Sequence, residues 1–160
     1  MKRRLLFLCC TLLMVVGMLS IAVVDIQAAE KQSVIDGSYL TNDEESVGYD
    51  IKLTRGEDLL NGYSKCVVMG PGRLYAGGCT VAAHNVEKVG IGVIIERAQE
   101  GDEQWSGYGG WQKFNENADR AASSKMLEVE GGYYYRVRCI HSANSDLSSS
   151  FTNGVFVEEP

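Results

Sequence analysis

The sequence predicts an all-β fold: an antiparallel β-sandwich of about seven strands after an N-terminal signal helix. Three observations carry this reading. Glycine is abundant, proline is scarce, with two residues in 160, and the longest apolar patterns alternate with period two. Val89, Ile91, Val93 and Ile95 share one parity, against Lys88, Gly90, Gly92 and Glu96 on the other. Tyr133, Tyr135, Val137 and Cys139 likewise oppose Tyr134, Arg136 and Arg138. Such alternation belongs to a strand with one face in a core and one in water.

Residues 1–29 are read as a secretory signal peptide. Lys2, Arg3 and Arg4 form a basic head, and Leu5 to Val24 is apolar apart from Thr11, Gly17 and Ser20. Asp25-Ile26-Gln27-Ala28-Ala29 then offers a small-residue cleavage site. Twenty apolar residues also suffice to span a bilayer. Gly17, Ser20 and the small-residue exit favour cleavage, and with it a secreted, extracellular product without stable membrane association. Cys9 and Cys10 lie mid-run, where a lipid-anchor cysteine would not.

Residues 30–48, with Asn42-Asp43-Glu44-Glu45, are expected to form a flexible acidic arm, and residues 49–160 the sandwich domain. Its strands are read in order as Tyr49–Thr54, Tyr63–Met69, Arg73–Ala83, Val89–Ile95, Lys125–Val129, Tyr133–Cys139 and Ser149–Val157. Gly70-Pro71-Gly72, Gly131-Gly132 and Ser142–Asp146 supply turns. Gly77-Gly78 is expected to bulge its strand. Asn, Ser and Asp dominate Asn115–Lys125, which reads as a loop.

The signal segment holds three of the 15 basic residues and, in Asp25, one of the 21 acids. Residues 30–160 therefore carry twelve basic and twenty acidic side chains, a formal charge of −8. That balance repels phosphate backbones and excludes nucleic acid as a partner. It also gives no attraction to anionic membranes or wall polymers.

Three cysteines follow the signal segment. Oxidation outside the cell makes one bridge plausible. Cys66 and Cys79, on neighbouring strands of one hairpin, lead the alternatives of Cys66–Cys139, Cys79–Cys139 and no bridge. Cys139 and His141 sit two apart on one strand and so share a face. With Cys66, Cys79 and His84 they are the only metal-ligand candidates of thiolate or imidazole type. The sequence has no CxxC or HxxxH spacing, so neither metal nor cofactor is expected. A nucleophilic cysteine needs exposure and a base within reach, and Ser148-Ser149-Ser150 has no GxSxG around it. No catalytic residue is therefore assigned.

The strongest binding signal is aromatic. Trp105, Tyr108, Trp111 and Phe114 fall within one glycine-containing stretch, with Gln104, Gln112 and Asn115 beside them. Exposed together, Trp105, Tyr108 and Trp111 would form a platform for sugar rings. Facing the core, the tryptophans would be packing residues.

Gly132-Tyr133-Tyr134-Tyr135-Arg136-Val137-Arg138-Cys139-Ile140-His141-Ser142, followed by Ser149-Ser150-Phe151-Thr152-Asn153-Gly154-Val155, resembles the C-terminal part of small secreted proteins of unknown function from Gram-positive bacteria. Gly48–Arg97 fits the same pattern. The resemblance implies export and a β-rich fold and transfers no catalytic residue. Tyr135-Arg136-Val137-Arg138-Cys139 is also similar to the penultimate strand of fibronectin type III modules. The expected function is that of an exported non-enzymatic β-sandwich, a glycan- or peptide-binding accessory module. The alternative is an extracellular hydrolase working through surface carboxylates.

Overall fold

In a computed structural model, residues 33–50 and 56–160 are described. The signal segment and residues 51–54 of the first expected strand lie outside them. The described residues contain nine strands and no helix: β1 Val34–Ile35, β2 Ser38–Thr41, β3 Glu45–Tyr49, β4 Leu59–Val68, β5 Arg73–Ala98, β6 Ser106–Glu128, β7 Tyr133–Ala143, β8 Asp146–Phe151 and β9 Gly154–Val157. The alternating segments Val89–Ile95 and Tyr133–Cys139 are strands as read. Val89, Ile91, Val93, Ile95, Tyr135, Val137 and Cys139 are all buried.

The strands form one sheet in the order β1-β2-β9-β7-β5-β4-β3, with β6 on β5 and β8 on β7. Most pairs are antiparallel, but β2 joins β9 in parallel through Leu40↔Gly154 and Thr41↔Val155. The sheet is therefore mixed, which corrects the all-antiparallel expectation. The long strands make it curl. The first part of β5 lies between β4 and the end of β6, and the second part between β7 and the start of β6. Between them the β5–β6 register breaks from Val81 to Val86, and Asn117 in β6 takes a left-handed φ of 50°. Register breaks of this kind bend a strand.

Curling brings the inward faces of the two parts together. Leu74 and Ala76 join Ile91, Val93, Val137, Cys139 and Val155 in one buried cluster. Contacts cross it: Cys66 Sγ lies 3.7 Å from the Tyr135 carbonyl, and Cys139 Sγ 3.8 Å from that of Gly77. Gly77 and Gly78 do not bulge β5, whose register with β4 runs unbroken from Leu74 to Val81. Gly78 is needed for close approach. A Cβ there would fall 2.3 Å from the Tyr63 carbonyl oxygen and 2.7 Å from Cys139 Sγ.

Three further expectations are corrected. Asn115–Lys125 is not a loop but the middle of β6. The expected last strand is two, β8 and β9, separated by Thr152-Asn153. The acidic arm, over its described part from Ser33, is not loose. It carries β1, β2 and the start of β3, and Ile35 and Leu40 are buried with Ala98 against Trp105 and Tyr134 in a second, smaller cluster.

Candidate functional site

The three aromatic residues singled out in the sequence do not form one platform. Trp105 belongs to the arm's small cluster. Its Nε1 donates to the Ile35 carbonyl at 2.8 Å, and Arg136 stacks over its ring at 4.7 Å. A Cβ on Gly154 would strike the indole at 2.5 Å. Trp105 is an anchor for β1. Trp111 stands opposite Val93 in the register and packs, half-buried, against the main core. Tyr108, 39% exposed, sits edge-on to Tyr135 at 5.4 Å, with Arg97 5.3 Å from its ring.

Around Trp111 the bend in β6 brings together side chains far apart in sequence. Lys113 and Asn115 share the inward parity of Trp111, opposite Ile91 and Val89. Ser123 and Lys125, opposite Gly78 and Ala76, share it on the returning part. Trp111 Nε1 donates to Ser123 Oγ at 2.9 Å, and Lys125 Nζ lies 4.6 Å from the indole centre. Lys113 Nζ donates to the Ala122 carbonyl at 3.1 Å, and Asn115 Nδ2 to that of Arg120 at 2.7 Å. Both lysines are exposed. The bend thus gathers one indole, two ammonium groups and two small polar side chains on one face of β6. Lys113, Ser123 and Lys125 were missed in the sequence, although 111, 113, 115 and 123, 125, 127 keep parity.

Arg136 builds a second polar centre. It is 1% exposed. Its Nε donates to Glu96 at 2.7 Å, and its terminal nitrogens to Ser38 Oγ at 2.9 Å and to the Asp36 carbonyl and carboxylate at 3.1 and 2.8 Å. Arg138 also pairs with Glu96, at 2.9 Å. The Arg136 guanidinium holds the Asp36 carboxyl below its ordinary range. Asp36, Glu103, Gln104, Trp105, Arg136 and Arg138 line a shallow depression, in which two arginines stand among the Asp36, Glu96 and Glu103 carboxylates. They leave no surplus of positive charge there.

His141 is fully buried in a chain of hydroxyls. Thr80 Oγ1 donates its one proton to the Gly90 carbonyl at 2.8 Å, so it accepts from His141 Nδ1, also at 2.8 Å. His141 Nε2 then accepts from Ser150 Oγ at 2.8 Å. Burial lowers the imidazole to about 4, against a smaller opposing pull from Asp50. The ring packs flat against Gly62, where a Cβ would come within 2.4 Å. A histidine sealed this way has both nitrogens occupied and no route for substrate. Cys139 and His141 share a face, but Cys79 points to the other one and His84 pairs with Asp58 at 3.0 Å. Among the described residues no three His, Cys, Asp or Glu side chains are placed to hold a metal ion.

Cys66, Cys79 and Cys139 are free thiols, which corrects the expected Cys66–Cys79 bridge. In the β4–β5 ladder Cys66 is opposite Ala76, and Cys79 opposite Tyr63. The two are three registers apart and on opposite faces of the sheet, beyond disulfide reach. Cys79 Sγ instead accepts from Arg120 Nε at 3.0 Å. Burial pushes the Cys139 thiol up to about 12, and Cys66 further. Reductant is therefore expected to leave electrophoretic mobility and melting temperature unchanged. Thiol reagents at neutral pH should label the native protein at under about a tenth of the unfolded rate. A melting temperature that falls on reduction would show a bridge.

Comparison with known proteins finds no matching family model, no matching curated protein and no matching solved structure. What the described residues define is an all-β chain built on one curled mixed sheet.

Proposed function

We propose that this chain is an exported, non-enzymatic bacterial binding module that engages a glycan or a peptide outside the cell through the bend of β6. The basic head, apolar run and small-residue exit of residues 1–29 support export. The curl is read as a sandwich whose two layers share β5 and β6, a rigid frame for a surface site.

One observation carries the reading. The groups most capable of catalysis, His141, Ser150, Cys66 and Cys139, are sealed in the interior, whereas Trp111 and its polar neighbours stand at an accessible strand edge. The well-placed carboxylates Asp36, Glu96 and Asp58 are held by Arg136, Arg138 and His84. That weighs against a carboxylate hydrolase.

The test uses the product recovered from the medium of a Gram-positive expression host. Its N-terminus should lie at residue 29 or 30. Immobilised wall polysaccharides or peptides should retain it, and Trp111→Ala should lose that retention while keeping the native far-ultraviolet dichroism, its melting temperature being lowered because the half-buried ring also packs on the core. A product confined to the cytosol with residues 1–29 intact would overturn export. Retention unchanged by Trp111→Ala would overturn the site.

A further inference from the structure

Resting on that reading, we infer that the ligand at the β6 bend is a polysaccharide bearing carboxylate groups. The argument begins with charge. Lys65, Arg97, Arg136 and Arg138 each lie within ion-pair distance of a carboxylate, on Glu45, Glu130, Asp36 or Glu96. Arg73, Lys88, Lys113, Arg120 and Lys125 have no such partner among the described residues, and of the β6 cations only Lys113 and Lys125 share the parity of Trp111. Glu116 is opposite Lys88 in the register, on the other face of β6 from these lysines. The bend draws both ammonium groups toward one place, Lys113 onto the Ala122 carbonyl and Lys125 over the Trp111 ring. Two cations on the Trp111 face of one bend, with no carboxylate partner among the described residues, favour an anion beside them. The overall charge of −8 acts at longer range and is screened within about 8 Å at physiological salt. Contact is therefore local and salt-sensitive rather than steered.

The backbone decides between a sugar chain and an extended peptide. Peptides commonly add to a sheet through the free hydrogen bonds of an edge strand. Here the edge carbonyls of Arg120 and Ala122 are already occupied by Asn115 and Lys113. Strand addition there would have to displace the Asn115 and Lys113 side chains from those carbonyls, whereas an indole, an amide, a hydroxyl and two ammonium groups are offered directly. These are the groups that receive a sugar ring with its hydroxyls and a carboxylate.

Polygalacturonate, dextran and poly-L-glutamate are the probes, applied to the secreted product in affinity electrophoresis and in NMR titration of the two indole N–H signals. Polygalacturonate should retard the protein and shift the Trp111 signal, with Trp105 unmoved, and added salt should release it. Lys113→Gln with Lys125→Gln should weaken binding about tenfold, whereas Lys88→Gln should leave it unchanged. Equal retardation by poly-L-glutamate, or no effect of the double variant, would overturn the inference. Trp111-dependent binding of dextran without polygalacturonate would overturn it while leaving the binding module standing. If none of the three probes moves the Trp111 signal, the inference falls. If wall fractions and peptides also bind independently of Trp111, the site falls with it.

Discussion

Replacing Arg136 with methionine should lower the unfolding free energy by about 3–5 kcal/mol, the cost of removing one partner from a buried ion pair. Arg136 is the largest side chain in the fully buried set, and its carboxylate partners are unequal. Asp36 is 67% exposed, so water compensates much of its loss. Glu96 is only 12% exposed and keeps just the half-exposed Arg138. The same substitution removes the donors to Ser38 Oγ and the Asp36 carbonyl, which tie the β1–β2 segment to β7. Arg138→Met, at a side chain 37% exposed, should cost under about 1 kcal/mol. Denaturant melts of the two variants decide the matter. Equal losses would show that Arg136 is no latch. The arm's small cluster of Ile35, Leu40, Ala98 and Trp105 should open first, visible as a change in near-ultraviolet dichroism before the main transition.

That latch was not legible in the sequence, and the reason is physical. Alternation reports which residues of a strand share a face, so Val89–Ile95 and Tyr133–Cys139 could be read directly. It does not report what covers the other face. Arg136 sits on the nominally wet parity of β7 and is buried because a distant segment folds over it. The middle of β6 failed for a related reason. Asn115–Lys125 has little apolar content on either parity because it belongs to an edge strand that sends only Ala121, and in part Ala118, into the core. Its conformation comes from pairing with β5, and such context outweighs strand propensity. The cysteine faces, by contrast, could have been worked out. Once the Gly70-Pro71-Gly72 turn pairs Val68 with Leu74, Cys66 must meet Ala76 and Cys79 must meet Tyr63, which separates the thiols. The aromatic stretch was half legible. Trp111 lies at the accessible bend, but Trp105, at the same parity, precedes β6 and packs under the arm, so equal parity did not mean one face.

Acidification from pH 6.5 to 4 should cost the folded state about 3 kcal/mol through His141 alone. In the unfolded chain the imidazole takes up its proton with the ordinary value of 6.5. In the folded protein burial defers this to about 4. Above 6.5 the ring is neutral in both states and its contribution to stability is complete. Between the two values the unfolded chain holds a proton that the folded protein refuses, so stability falls by about 1.4 kcal/mol per pH unit. Below 4 both states are protonated and this group adds no further loss. Burial is the cause; on protonation the Ser150 hydroxyl must turn from donating to Nε2 to accepting from it. His141→Gln should start from a lower stability, with the Thr80 and Ser150 contacts disturbed, but its profile between pH 6.5 and 4 should be flatter by about that amount. Ring-carbon NMR should show no titration of His141 in the native protein until pH approaches 4. If the variant retains the full slope, or the native ring titrates near 6.5, the imidazole is not sealed, and the reading of Ser150 and His141 as interior packing rather than working chemistry loses its basis.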